Sequence, residues 1–238
     1  MRQNTILQAW PMTPAVKIIL IVNSALWLLT VIAGRFESWA VYETMALTPA
    51  KVYPGWHVWQ IFTYMWFHSL GGFSHILFNM LFLWMFGGIL EQTWGTRGFL
   101  KFYLVCGTGA GVVVFLVGHL FYPTTATVGA SGAIYGLVAA WAIAFPERMI
   151  YLFGIFPIKS KYFALFPIGY AVLDFIVGGT GISHAAHLGG LAIGALLVTG
   201  FWRPRRMKNQ VRYMYLKRKL KVIEGDRRKN PPGGRYWN

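Results

Sequence analysis

Long apolar stretches alternate with short polar or aromatic connections along this chain, and six of the stretches approach the length of a bilayer crossing. They fall at about 16–34, 73–90, 99–122, 129–145, 162–178 and 183–202, against the roughly 17–25 residues that a helix needs for a ~30 Å hydrocarbon core. Each predicts a helix, because an isolated strand leaves its backbone groups unsatisfied in lipid. Residues 35–72 hold Trp39, Trp56, Trp59, Trp66 and Phe67 but no clean span, a composition that suits the bilayer interface. His57 and His68 in this loop are read as interfacial hydrogen-bonders rather than ligands. Pro11 and Pro14 break the chain before the first helix, and residues 146–161, interrupted by Gly154 and Pro157, predict an interfacial connection rather than another crossing.

Composition agrees with this pattern. A chain of 238 residues that is 56% hydrophobic, 17% aromatic and only 12% charged carries too little charge to dress a soluble surface. The expected fold is an all-α membrane protein: a six-transmembrane-helix bundle at 16–202, preceded by a short segment at 1–15 and followed by a basic tail at 203–238. No small-residue cleavage site follows the first apolar core, so the first span is read as a retained anchor. Cys106 is the single cysteine, which excludes an intramolecular disulfide and most thiolate metal sites.

Charge then sets the orientation. Of 22 Lys and Arg, only Arg35 and Lys51 fall on the side of the loop between spans 1 and 2. The positive-inside rule therefore puts both termini in the cytoplasm, the expected setting being a bacterial inner membrane. With six crossings, spans 2, 4 and 6 run from outside to inside. His75, Ser131 and His187 each lie within about one turn of the start of one of these spans, so three side chains capable of reaction share one shallow outer layer.

The stretch Thr127 to Gly136, TVGASGAIYG, places Ser131 among glycines at the start of a helical run. Standing alone, Gly-x-Ser-Gly is a packing motif, and a serine in such a helix bonds back to its own backbone. His75 and Asn79 are four apart and occupy one helical face; polar groups at this depth face the bundle interior. In span 6, His184 and His187 are three apart, and Gly190 and Gly194 offer bare backbone for close approach. If that face seats Gly132 and Gly136, His187 comes within reach of Ser131, and a hydroxyl needs such an imidazole to take its proton. Asp174 reaches the same outer layer as a possible third member, and His184 is an alternative base. A zinc site from His184, His187 and His75 lacks a His-Glu-x-x-His helix and a carboxylate ligand, so no metal and no cofactor is expected.

These residues resemble a known family, the rhomboid intramembrane serine proteases. The matching features are Gly129-Ala130-Ser131-Gly132 with Tyr135 one turn on, Ala186-His187-x-x-Gly190, His75-x-x-x-Asn79, the preceding loop VWQIFTYMWFH, and Glu91-x-x-x-Gly95. The resemblance covers roughly 16–202. It implies a Ser131/His187 dyad without an acidic third member, Ser131 as nucleophile and His187 as general base. It implies an oxyanion hole from His75, Asn79 and the backbone N–H of Ser131, with Tyr135 packed against the His187 ring. It also implies the substrate class: single-pass transmembrane proteins whose helix unwinds near its outer end. A relative without the dyad would instead bind and escort membrane clients.

The tail at 203–238 carries 13 Lys and Arg against Glu224 and Asp226. Its segment VRYMYLKRKLKVI suits a basic amphipathic helix on the anionic inner leaflet. Contact with nucleic acid or the ribosome is the alternative partner for so many cations.

Overall fold

A computed structural model describes residues 10–34, 40–152, 156–166, 168–170, 173 and 181–200. The expectations for the tail after 202, for residues 1–9 and for Asp174 lie outside these residues. The chain divides into two compact units, Met1–Val198 and Thr199–Asn238.

The fold is mostly helical. Helix α1 (Pro14–Gly34) and helix α5 (Phe73–Phe121) are each long and apolar enough to cross a membrane. Between them lie α2 (Ala40–Met45), α3 (Pro49–Val52) and α4 (Gln60–Thr63), the last running into a 3-10 turn at Tyr64–Trp66. Helix α6 (Ser131–Ala144) follows, then strands β1 (Met149–Leu152) and β2 (Phe156–Lys159), α7 (Ser160–Phe163) and α8 (Gly181–Thr199). Of the stretch read as a fifth span, helical residues are described at 162–163, the end of α7, and at 165–166, 168–170 and 173.

Two of the expected spans are continuous in α5, whose 49 residues would measure about 74 Å if straight at 1.5 Å per residue. Gly95 breaks the run at φ 71°, ψ 160°, a conformation that a side chain would resist. The chain reverses there. Trp94 and Phe102 bring their ring centroids to 5.0 Å, and a Cβ on Gly87 would stand 3.2 Å from the Phe99 ring, whereas twelve residues of straight helix would separate them by about 18 Å. The limbs 73–94 and 96–121 therefore lie back to back.

Glu91 ties this turn to α1. Its carboxylate accepts from the backbone N–H groups of Ala15 and Val16, each at 3.0 Å, from Thr13 Oγ1 at 2.5 Å and from Thr96 Oγ1 at 2.7 Å. The first turn of α1, whose N–H groups have no partner inside their own helix, is thus capped by a carboxylate from another helix. Asn23 is buried on α1, and its side-chain amide donates to the Ile19 carbonyl at 2.8 Å.

Helix α6 is apolar all round, as suits a helix at the centre of a bundle: Ala133, Leu137, Ala140 and Trp141 are buried. It packs chiefly on α5, with the Gly132, Ala133 and Gly136 positions meeting Ala110, Gly107 and Cys106. Helix α8 lies against the same glycine stripe of α6 and also touches α5, where a Cβ on Gly189 would meet Val113 and one on Gly109 would meet Ile193. A Cβ on Gly190 would strike the Gly132 carbonyl, and one on Gly194 would stand 2.6 Å from the Gly136 α-carbon. Bare backbone on both helices is what allows this approach.

An all-helical reading omits one element. Residues 149–152 and 156–159 pair as antiparallel strands, Met149 with Lys159 and Ile150 with Ile158, and the Ile, Tyr and Phe they carry are residues enriched in strands. The connection 35–72 also has more structure than an interfacial loop requires. Trp56, Val58, Trp59 and Phe62 are exposed, but Gln60, Tyr64, Met65 and His68 are buried, so one side of this segment is core.

Candidate active site

Ser131 is the first residue of α6, where the backbone N–H is one of the donors a helix leaves unpaired. The preceding turn is held open by Gly129 at φ 128°. The Gly129 N–H donates to the Tyr64 carbonyl at 3.0 Å, and the Tyr64 hydroxyl donates to the Gly107 carbonyl at 2.8 Å. Ala130 N–H meets His68 Nε2 at 3.5 Å. Through these contacts the buried side of the 57–68 segment holds the serine turn against α5.

His187 reaches Ser131 from α8. Its Nε2 lies 2.9 Å from Ser131 Oγ, hydrogen-bonding distance. The ring stacks on Tyr135 with centroids 4.1 Å apart and planes 7° from parallel, so one face of the imidazole cannot turn. His187 lies six residues into α8, about 9 Å along its axis, because the helix begins at Gly181, two residues before the expected span. His187 Nδ1 has no hydrogen-bond partner among the described residues. His184, the alternative base, is buried with its ring centroid 6.4 Å from that of His187; the nitrogen at the serine belongs to His187.

His75 enters from the start of α5. Its Nδ1 accepts the Ser69 N–H at 3.1 Å, which assigns the proton of a neutral ring to Nε2. That nitrogen points toward the serine turn: a Cβ on Gly129 would stand 3.1 Å from His75 Nε2 and 3.8 Å from Ser131 Oγ. Asn79 lies one turn further along. One of its amide N–H bonds is spent on the His75 carbonyl at 2.7 Å, which leaves the second as a donor.

Ser131, His187, His75, Asn79 and Tyr135 line one open cavity of about 340 Å³, together with Ser74, Phe78, Phe82 and Ile134. Gly190 does not line it and acts instead by admitting α8 to α6. No group of three or more His, Cys, Asp or Glu side chains stands ready to hold a metal ion among the described residues.

His68 was read from the sequence as an interfacial side chain, but it is 1% exposed. Burial, reinforced by the His75 ring 5.4 Å away, lowers its pKa to about 3, so it is neutral at physiological pH. The signal for this inward face was the four-residue spacing of Gln60, Tyr64 and His68.

A helical membrane protein with a serine and a histidine in hydrogen-bond contact beside two further donors is the class that this fold and site define. The rhomboid domain matches residues 55–204, and the chain belongs to the rhomboid family, whose members are integral membrane proteins and include serine proteases. It is 30% identical over 140 residues to "Rhomboid protease GlpG" of Haemophilus influenzae, covering 58% of this chain and 66% of that one. It is 29% identical over 148 residues to "Rhomboid protease GluP" of Bacillus subtilis, covering 62% and 27%. It is 30% identical over 138 residues to "RHOMBOID-like protein 12, mitochondrial" of Arabidopsis thaliana, covering 52% and 41%. The match thus spans less than two thirds of each relative.

Proposed function

We propose that this chain is an intramembrane serine endopeptidase that cuts single-pass membrane proteins near the outer end of their transmembrane helix. The observation that carries this reading is the 2.9 Å contact between His187 Nε2 and Ser131 Oγ at a cavity that His75 and Asn79 also line.

In this mechanism His187 Nε2 takes the Ser131 proton as Oγ attacks the peptide carbonyl, and returns it to the leaving amine. The oxyanion accepts hydrogen bonds from His75 Nε2–H, the second Asn79 amide N–H and the Ser131 backbone N–H. Water then releases the acyl group by the same route. Tyr135 keeps the His187 ring in plane. His187 Nδ1 without a partner supports a dyad among the described residues; Asp174, the third-member alternative, lies outside them.

The accompanying architecture is a six-span bundle with both termini cytoplasmic, supported by the chain reversal at Gly95 and by the distribution of basic residues. The site then opens outward, where hydrolytic water is available and a substrate helix must unwind to expose a carbonyl. The basic tail at 203–238 is proposed to lie on anionic lipid, apart from catalysis.

The test is phosphonylation of the purified protein by a fluorophosphonate, with mass spectrometry to locate the adduct, beside cleavage of a single-pass substrate. Labelling confined to Ser131 and lost in His187→Ala is expected, as is loss of cleavage in Ser131→Ala. An unlabelled wild-type protein would sink the protease reading in favour of a client-binding role.

A further inference from the structure

Trp27 has no part in the chemistry above, yet it reaches the site's margin from the first span. Its indole Nε1–H donates to the Ser69 carbonyl at 3.2 Å, and its ring packs on Phe73 with centroids 5.8 Å apart. Ser69 in turn donates its backbone N–H to His75 Nδ1 at 3.1 Å. Ser69 Oγ also accepts the Gly71 N–H at 3.2 Å, so the turn leading into α5 has one external tether and one internal one.

We propose that Trp27 is a positioning residue for the oxyanion hole: by tethering Ser69 it keeps the Ser69 N–H on His75 Nδ1 and so holds His75 in the tautomer that presents Nε2–H to the reacting carbonyl. The proposal rests on the protease reading for its kinetic consequence, but its structural claim stands on the Trp27, Ser69 and His75 geometry alone.

The reasoning concerns a neutral imidazole, which has one proton and two nitrogens. Bound to a backbone N–H, Nδ1 must be the acceptor and Nε2 the donor. Released from it, the ring is free to place its proton on Nδ1, and Nε2 then meets a developing oxyanion as a second lone pair, which repels instead of stabilising. The Ser69 turn carries two glycines, Gly71 and Gly72, and so has little stiffness of its own. A tether from a spanning helix supplies what the turn lacks.

The experiment uses the full-length protein in detergent micelles with 15N-labelled histidine, the His75 resonances being assigned by their loss in His75→Gln. Wild-type His75 is expected as a single Nε2–H tautomer. Trp27→Phe keeps an aromatic ring against Phe73 and removes only the donor; it is expected to give His75 a mixed tautomer signature and to lower kcat about three- to tenfold, the scale of one neutral hydrogen bond, with KM within twofold. Phe73→Leu removes the ring contact and keeps the donor, and is expected to leave both readouts at wild-type values. A Trp27→Phe protein with an unchanged His75 spectrum overturns the proposal, as does a Phe73→Leu protein that shows the same change. If the wild-type protein cleaves nothing, the protease reading fails while the spectra still decide the tether.

Discussion

Replacing Gly190 by alanine puts one methyl group where the structure has no room for it. The new carbon would strike the Gly132 carbonyl oxygen and stand 2.7 Å from the carbonyl carbon and 3.1 Å from the α-carbon. Carbon atoms in good contact sit about 3.5–4.0 Å apart, and every obstructing atom is backbone, so no rotamer change relieves the clash. Helix α8 must retreat from α6 by about 1 Å. His187 is three residues away on the same helix, so its separation from Ser131 grows from 2.9 Å to about 4 Å, beyond hydrogen-bond reach. A displacement of that size costs on the order of 100-fold in rate, and overpacking costs about 1–3 kcal/mol of stability. The assay is the rate of fluorophosphonate labelling, measured beside the thermal unfolding midpoint. Gly194→Ala is the companion, since its Cβ meets the Gly136 backbone at 2.6 Å two turns beyond His187; it should lose comparable stability with less loss of labelling. A folded Gly190→Ala protein that labels at the wild-type rate would refute the claim that bare backbone at this crossing sets the Ser131 to His187 distance.

Other outcomes follow from the same coordinates. Asn79→Ala should lower kcat about 100- to 1000-fold, the usual scale for one oxyanion donor, with substrate KM little changed; an unaltered kcat would remove Asn79 from the site. Glu91→Ala strips the acceptor from Thr13, Ala15, Val16 and Thr96 and should destabilise the fold by more than about 2 kcal/mol, read as a lower denaturation midpoint. His68 titrates near 3 when folded and near 6.5 when unfolded, so the unfolded chain binds the extra proton between those values. Its contribution to stability is complete above about pH 6.5 and is lost progressively as pH falls toward 3. Midpoints at pH 7.5 and pH 5 should therefore differ more in the wild type than in His68→Gln, and equal differences would show that His68 is not the group responsible.

The meeting of Ser131 and His187 was legible because both fall near the starts of helices running the same way, and counting crossings puts them in one layer. The glycine faces were legible for a similar reason: Gly132, Gly136, Gly190 and Gly194 repeat at the spacing of one helical stripe. What the chain concealed lies in the connections. Tyr64 and Met65 are buried while Trp59 and Phe62 beside them are exposed, and an aromatic-rich interfacial segment has the same composition as one folded inward. The start of α8 fell two residues before the expected span because the apolar run does not mark Gly181. The Glu91 cap was hidden for a different reason. Its backbone donors are 75 and 76 residues distant, and no local pattern links a carboxylate to N–H groups so far away.

That cap also bears on how the protein is made. When the first hydrophobic segment leaves the ribosome, its acceptor has not been synthesised, and the donors at Ala15 and Val16 must bond to water or lipid head groups until the chain has grown past Glu91. The first and second segments therefore complete each other during biogenesis, and a nascent chain arrested before residue 91 would hold its leading helix without the contact that fixes its end.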